Sequence, residues 1–151
     1  MKYLLDTNVI AEIRKGSRAN ASVRSWLNAL DPEAILLSVV TIGEIRRGIE
    51  SVRRRESVRR RDTTAARSLE RWLRRVLTDQ GDRILAIDLP VAEEWGRLNV
   101  PDPLPVIDGI LAATARVHGL TLATRNVKDV ARSGVDLVNP FEISARVRPG
   151  S

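Results

Sequence analysis

Apolar residues recur along this chain at two alternating spacings. Short apolar runs occupy residues 2–5, 34–37, 84–87, 120–123 and 135–138, each closed by polar or turn-forming residues. Runs this short and continuous predict strands buried on both faces. Between them the apolar positions fall three and four apart, the spacing of helices. Asn8 to Lys15 predicts a short helix ending near Gly16. Val23, Trp26, Leu27 and Leu30 predict a second, with Asn20 or Ser22 as its cap and Asp31-Pro32 as its stop. Ile42, Ile45 and Ile49 predict a third, capped by Ser38 or Thr41. Ala65, Leu69, Trp72, Leu73, Val76 and Leu77 form the stripe of a long helix that Gly81 ends. Asp88 caps a further helix with Pro90 in its first turn and Val91, Ala92, Trp95 and Leu98 directed inward. Pro101, Pro103 and Pro105 impose a stiff loop, and a last helix covers 106–117 before His118-Gly119. Strands alternating with helices predict an α/β fold: a central, mainly parallel sheet flanked by helices. No internal repeat or long linker divides the chain, so the expectation is a single domain over 1–143 with a flexible polar tail over 144–151.

Composition narrows the function. There is no cysteine, which excludes disulfides, thiolate metal ligands and a thiol nucleophile. No apolar stretch is long enough to span a membrane. Met1-Lys2-Tyr3-Leu4-Leu5-Asp6 runs into an acid without the zones of a secretion signal, so a cytoplasmic location is expected. The net charge is +6, carried by 22 arginines and 3 lysines. A bias of composition toward arginine would explain that ratio but not the net charge. Guanidinium forks match phosphate oxygens in two-point contacts, which points to nucleic acid as the partner. Six of those arginines fall within residues 53–61, expected to be a surface element meeting RNA or an acidic protein segment.

Three acids stand among aliphatic neighbours: Asp6 after Tyr3-Leu4-Leu5, Glu44 within Val39-Val40-Thr41-Ile42-Gly43-Glu44-Ile45, and Asp108 within Pro105-Val106-Ile107-Asp108-Gly109-Ile110. A carboxylate in such company is costly unless its charge is compensated. Each has an ordinary explanation taken singly: a strand-end turn for Asp6, a helix dipole for Asp108, an arginine partner for Glu44. Ligands of open parallel sheets bind beyond the carboxyl ends of the strands, and all three acids map to that edge. Together they predict an oxygen-ligand site for a divalent cation, Mg²⁺ or Mn²⁺. Asn126 and Asp129, beyond the fourth strand, reach the same edge.

Four segments then make a family resemblance specific: Leu4-Leu5-Asp6-Thr7-Asn8-Val9-Ile10, Ser38 to Gly48, Val106 to Ala115, and Leu122-Ala123-Thr124-Arg125-Asn126. In this order and spacing they resemble the PIN-domain ribonucleases, and among them the VapC-type toxins of bacterial toxin–antitoxin pairs. The resemblance extends through Val138-Asn139-Pro140-Phe141. It implies a PIN-like three-layer fold. It implies a Mg²⁺- or Mn²⁺-dependent endoribonuclease, usually a homodimer and possible member of a larger assembly, held inactive by a cognate antitoxin. Matched by position, Asp6, Glu44 and Asp108 correspond to the family's catalytic, metal-binding acids. A fourth ligand falls on Asn126 or on Asp129.

The single histidine, His118, sits at a helix end, so a two-histidine cleavage through the ribose 2′-hydroxyl is not expected. Water activated at a metal is the expected route, with Asp6 and Asp108 as principal ligands and Glu44 completing the site or orienting the water. Thr7, Asn8, Thr124 and Arg125 are expected to support the acids or contact phosphate. Arg46 and Arg47, beside Glu44, are the candidates for holding RNA. Competing readings are a catalytically silent nucleic-acid-binding module on the same fold, a phosphoryl-transfer enzyme with Asp6 as nucleophile, and a DNA nuclease. Retention of all three acids argues against the first, and Asn8 stands where the second commonly places another acid.

Overall fold

The computed structural model describes residues 1–59 and 64–143; the expected tail over 144–151 lies outside them. In chain order the elements are β1 (Tyr3–Leu5), α1 (Thr7–Ile13), α2 (Ala21–Asn28), β2 (Ile35–Ser38), α3 (Val39–Val58), α4 (Thr64–Gln80), β3 (Ile84–Leu85), α5 (Leu89–Leu98), α6 (Val106–His118), β4 (Thr121–Ala123), α7 (Val127–Val130) and β5 (Leu137–Val138). The five strands form one sheet in the order β3-β2-β1-β4-β5, and every pairing is parallel. β1 is its centre: Leu4 pairs with Leu36 on one side and Leu122 on the other, and Leu5 with Ala123.

Successive side chains of a strand point to opposite faces, and β1 therefore feeds two cores. Tyr3 and Leu5 pack with Val9, Trp26, Leu37, Ile49 and Leu73, the layer under α1 to α4. Leu4 packs with Leu111, Ala112, Leu122 and Val130, the layer under α6 and α7. Leu4, Leu5, Leu37 and Leu122 are essentially inaccessible to solvent, each worth about 2 kcal/mol of burial. The three-layer α/β architecture read from the strand–helix alternation is what the chain adopts.

Helix ends follow local chemistry. Asn20 Oδ1 accepts from the backbone N–H groups of Ser22 and Val23, starting α2. Ser38 Oγ accepts from Val40 N and starts α3. Asp88 Oδ1 accepts from Val91 N, with Pro90 in the first turn of α5. α6 ends on Gly119, whose φ of +65° is left-handed. A Cβ there meets no neighbour within 4 Å, so Gly119→Ala tests backbone strain alone. It is expected to cost about 1 kcal/mol and lower Tm by about 2–4 °C in a thermal melt.

Several boundaries and burials differ from the sequence reading. α3 runs on through Arg53, Arg54 and Arg55, so the first half of the arginine run is helix surface rather than a separate element; Arg60 and Arg61 lie outside the described residues. Arginine is a good helix former, and Glu50 pairs with both Arg46 and Arg53 along the helix. The strands expected over 84–87 and 135–138 shrink to two residues each. Ala92 and Trp95 of α5 do not point inward: Ala92 is exposed and Trp95 is 38% exposed. The Trp95 indole lies across Gly109 of α6, where a Cβ would come within 3.3 Å of it. This rim packing leaves part of the ring in solvent.

Candidate active site

The carboxyl end of β1 delivers Asp6 directly into the start of α1. Its backbone N–H donates to Ala123 O at 2.9 Å, fastening that point to the end of β4. The side chain is buried and caps α1, with Oδ1 accepting from Thr7 N at 2.6 Å. Oδ2 accepts from Thr124 Oγ1 at 2.7 Å and from Asn8 Nδ2 at 3.3 Å. Burial pushes the Asp6 carboxyl above its ordinary value and the charge of Glu44 adds to this, against the hydrogen bonds from Thr124, Thr7 and Asn8. These donors hold the carboxylate in one orientation without removing its charge.

Glu44 lies in the second turn of α3, which begins immediately after β2. Thr7 Oγ1 donates to Glu44 Oε1 at 2.6 Å, tying α3 to the start of α1. Asp108 is in the first turn of α6, half-buried. Its carboxyl is pushed up to about 6, first by burial and then by the charges of Asp6, Asp129 and Glu44. Each of those three acids lies near enough for Asp108 to feel its charge. Asp129 is exposed, on α7 just beyond β4. Asn126 precedes α7, and its side chain makes no capping hydrogen bond there.

Among the described residues, no lysine or arginine forms a salt bridge with Asp6, Asp108 or Asp129. Among the same residues, Glu44 has only Arg47, at 3.9 Å, whose side chain is 82% exposed. Nor are three acidic or histidine side chains drawn close enough to form a ready metal cage among those residues. The donor set is oxygen throughout, which suits a hard divalent cation. Asp6, Glu44 and Asp108 are the side chains able to hold one, with Asp129 or Asn126 as a fourth.

Arg46 and Arg47 part company. Arg46 faces α4 and donates to both oxygens of Glu70, at 2.5 and 2.9 Å. Arg53 joins the same glutamate at 3.0 Å, and the two arginines pull the Glu70 carboxyl down to about 2. Arg46 thus fastens α3 to α4, while Arg47 stays in solvent beside Glu44. Arg125 leads out of β4 at the rim of the acids, and its backbone N–H donates to Asn8 Oδ1 at 3.3 Å. Sequence reasoning missed two residues here: Glu70, which occupies Arg46, and Phe141, which stacks against Arg125.

Residues 3–132 match the PIN domain family. The chain belongs to the PIN-domain family. A curated relative from Sinorhizobium fredii, named VapC ribonuclease Y4jK, is 31% identical over 144 residues, covering 92% of this chain and 97% of its own. Toxin FitB of Neisseria gonorrhoeae is 32% identical over 143 residues, covering 91% and 97%. The crystal structure of FitAcB from Neisseria gonorrhoeae superposes on this PIN domain with a TM-score of 0.81 at 31% identity, covering 93% of this chain and 99% of that one. A toxin–antitoxin complex from Klebsiella pneumoniae gives a TM-score of 0.68 at 28% identity, covering 94% and 100%. The PIN domain's central parallel sheet accounts for the acid edge: β1, β2 and β4 all end there. Among the described residues no helix is long and apolar enough to cross a membrane.

Proposed function

We propose that this PIN domain, spanning 1–143, is a divalent-metal-dependent endoribonuclease and the toxin of a toxin–antitoxin pair, acting in the cytoplasm. One observation carries the chemical part: Thr7 bridges Asp6 and Glu44, Asp108 feels the charges of both and of Asp129, and among the described residues no cation pairs with Asp6, Asp108 or Asp129. Relatives named VapC ribonuclease and toxin FitB support the substrate class and the biological role.

Asp6 and Asp108 are the principal ligands of Mg²⁺ or Mn²⁺, with Glu44 completing the set or orienting the water and Asp129 or Asn126 as a fourth. Such an ion supplies positive charge that lowers the pKa of water and offsets charge on phosphoryl oxygens. The chain's own part is orientation. Thr124, Asn8 and Thr7 N hold Asp6, and the Thr7 hydroxyl holds Glu44 Oε1, so Thr7 links both acids. Glu44, where it does not complete the ligand set, directs water at phosphorus. The water oxygen bonds to phosphorus, the bond to the 3′ oxygen breaks, and that oxygen takes up a proton. The products carry a 5′-phosphate and a 3′-hydroxyl.

The partner is an antitoxin protein, and the toxin itself pairs as a homodimer. Trp26 is unavailable to either, because it is buried edge-on against Tyr3. Trp72 is half-buried and lines a mainly apolar cavity of about 250 Å³ with Ile10, Ile13, Leu27, Ile35 and Val76, which Asp79 and Gln80 also line, a surface suited to a partner's side chains. The test is incubation of purified protein with total bacterial RNA or single-stranded DNA, in Mn²⁺ or EDTA. New 5′-phosphate ends on RNA alone, and in Mn²⁺ alone, are expected. Ends bearing 2′,3′-cyclic phosphate, or equal cutting of DNA, would overturn the reading.

A further inference from the structure

The Arg125 guanidinium carbon lies 4.2 Å from the centroid of the Phe141 ring. The two residues come from different elements, one leaving β4 and the other following β5, adjacent parallel strands. Phe141 is half-buried against the core layer that holds Ile143 and Val138, and its backbone N–H donates to Asn139 Oδ1 at 3.0 Å, so the ring is a fixed platform. Arg125 is exposed. Its backbone is joined to the acid centre through Asn8, which accepts from Arg125 N and donates to Asp6 Oδ2, each at 3.3 Å.

Arg125 forms no salt bridge among the described residues. Glu12 is the acid whose carboxyl feels the Arg125 charge, but Glu12 already accepts from Lys15 Nζ at 3.0 Å and Asn20 N at 3.1 Å. A guanidinium lying on an aromatic face keeps its in-plane N–H fork directed outward, the geometry that accepts two oxygens of one phosphate. The alternative, a cation serving only to offset Glu12, would need no ring beneath it.

We propose that Arg125, laid on the Phe141 ring beside Asp6, grips an RNA phosphate adjoining the one that is cleaved, with Phe141 as its positioning residue. This rests on the ribonuclease reading above. Arg125 contributes the charge and the fork; Phe141 limits the directions in which the fork can point.

The experiment uses the full chain with total bacterial RNA in Mn²⁺, counting new 5′-phosphate ends by sequencing. Arg125→Gln is expected to lower the apparent kcat/KM about 10- to 100-fold, mostly through KM. Phe141→Leu keeps bulk in the core and is expected to lose about 3- to 10-fold in the same parameter, while Phe141→Tyr keeps the ring and the rate. The Arg125→Gln/Phe141→Leu double variant should be no slower than Arg125→Gln alone. In an Asp6→Asn background, Arg125→Gln should also reduce the salt slope of binding to a labelled single-stranded oligoribonucleotide by about 0.7. A cleaving parent that is indifferent to Arg125→Gln overturns the proposal and leaves the ribonuclease reading intact. Additive losses in the double variant overturn the positioning role of Phe141. A parent that makes no ends on RNA overturns both.

Discussion

Asp6→Asn is expected to cut the rate of RNA cleavage to below about a hundredth of the parent's, beyond the 10- to 100-fold loss usual for an outer partner of a metal ligand. Asn keeps the shape of the side chain and one carbonyl oxygen to accept from Thr7 N or Thr124 Oγ1, so the fold should remain. It should become slightly more stable in EDTA, because the charge that burial disfavours is gone. Thr124→Val is the graded comparison. It removes the 2.7 Å bond to Asp6 Oδ2, and with it the acceptor for Asn126 N, while leaving every acid in place. A loss of about 10- to 100-fold is expected there. Cleavage by Asp6→Asn at the parent's rate, in a melt-verified folded sample, would remove Asp6 from the chemistry.

Without a divalent ion, the protein should lose stability as pH rises from about 5 to 7. The sign follows from Asp108. Its folded carboxyl is pushed up to about 6 from an ordinary 3.8, so the folded state holds the proton over a range where the unfolded chain has released it. Stability from this source is complete below about 4 and is lost as pH rises through about 6. Asp6, raised as well, acts in the same direction. Glu70 acts oppositely, but its window lies lower: pulled down to about 2, it loses its stabilising share only as pH falls below the ordinary 4.5. After discounting for the half-exposed position of Asp108, the effect is about 1 kcal/mol, or 2–4 °C in Tm. Asp108→Asn should flatten the profile. Added Mn²⁺ should reverse its slope, since an ion prefers the ionised carboxylates and stabilises more at pH 7.5 than at pH 5.5. A parent Tm that is level between pH 5 and 7 in EDTA would contradict the raised Asp108 carboxyl, which burial and then the neighbouring acids cause.

What could be read in the sequence depended on whether the signal was local. β1 ending at Asp6, the Asp88 cap with Pro90 behind it, and Gly119 closing α6 are each determined by a few adjacent residues, and all three stand where the pattern put them. The sheet's parallel order follows from strand–helix alternation. The common sheet edge of Asp6, Glu44 and Asp108 could be inferred because each follows a strand or lies in the first turns of a helix. Contacts between distant segments left no such trace. Arg46 looked available for RNA until Glu70, 24 residues on, was seen to take both of its nitrogens. The arginines at 53–55 carry no apolar stripe, so their helix was hidden by charge. Trp95 fits a helical stripe, yet only the bare Cα of Gly109 explains why its ring lies at the rim. The pairing of Phe141 with Arg125 depends on β5 lying beside β4, which no local pattern encodes.

The hydrogen bond between Asp6 and Thr124 joins residues 118 positions apart, and β1 cannot gain its second neighbour until β4 has been made. At about 5–20 residues per second, a ribosome needs about 6–24 s to travel that interval. Nascent chains released early would carry Asp6, Glu44 and Asp108 but not the strand that fixes the first of them. A domain assembled this way cannot fix Asp6 at the acid edge until β4 has left the ribosome.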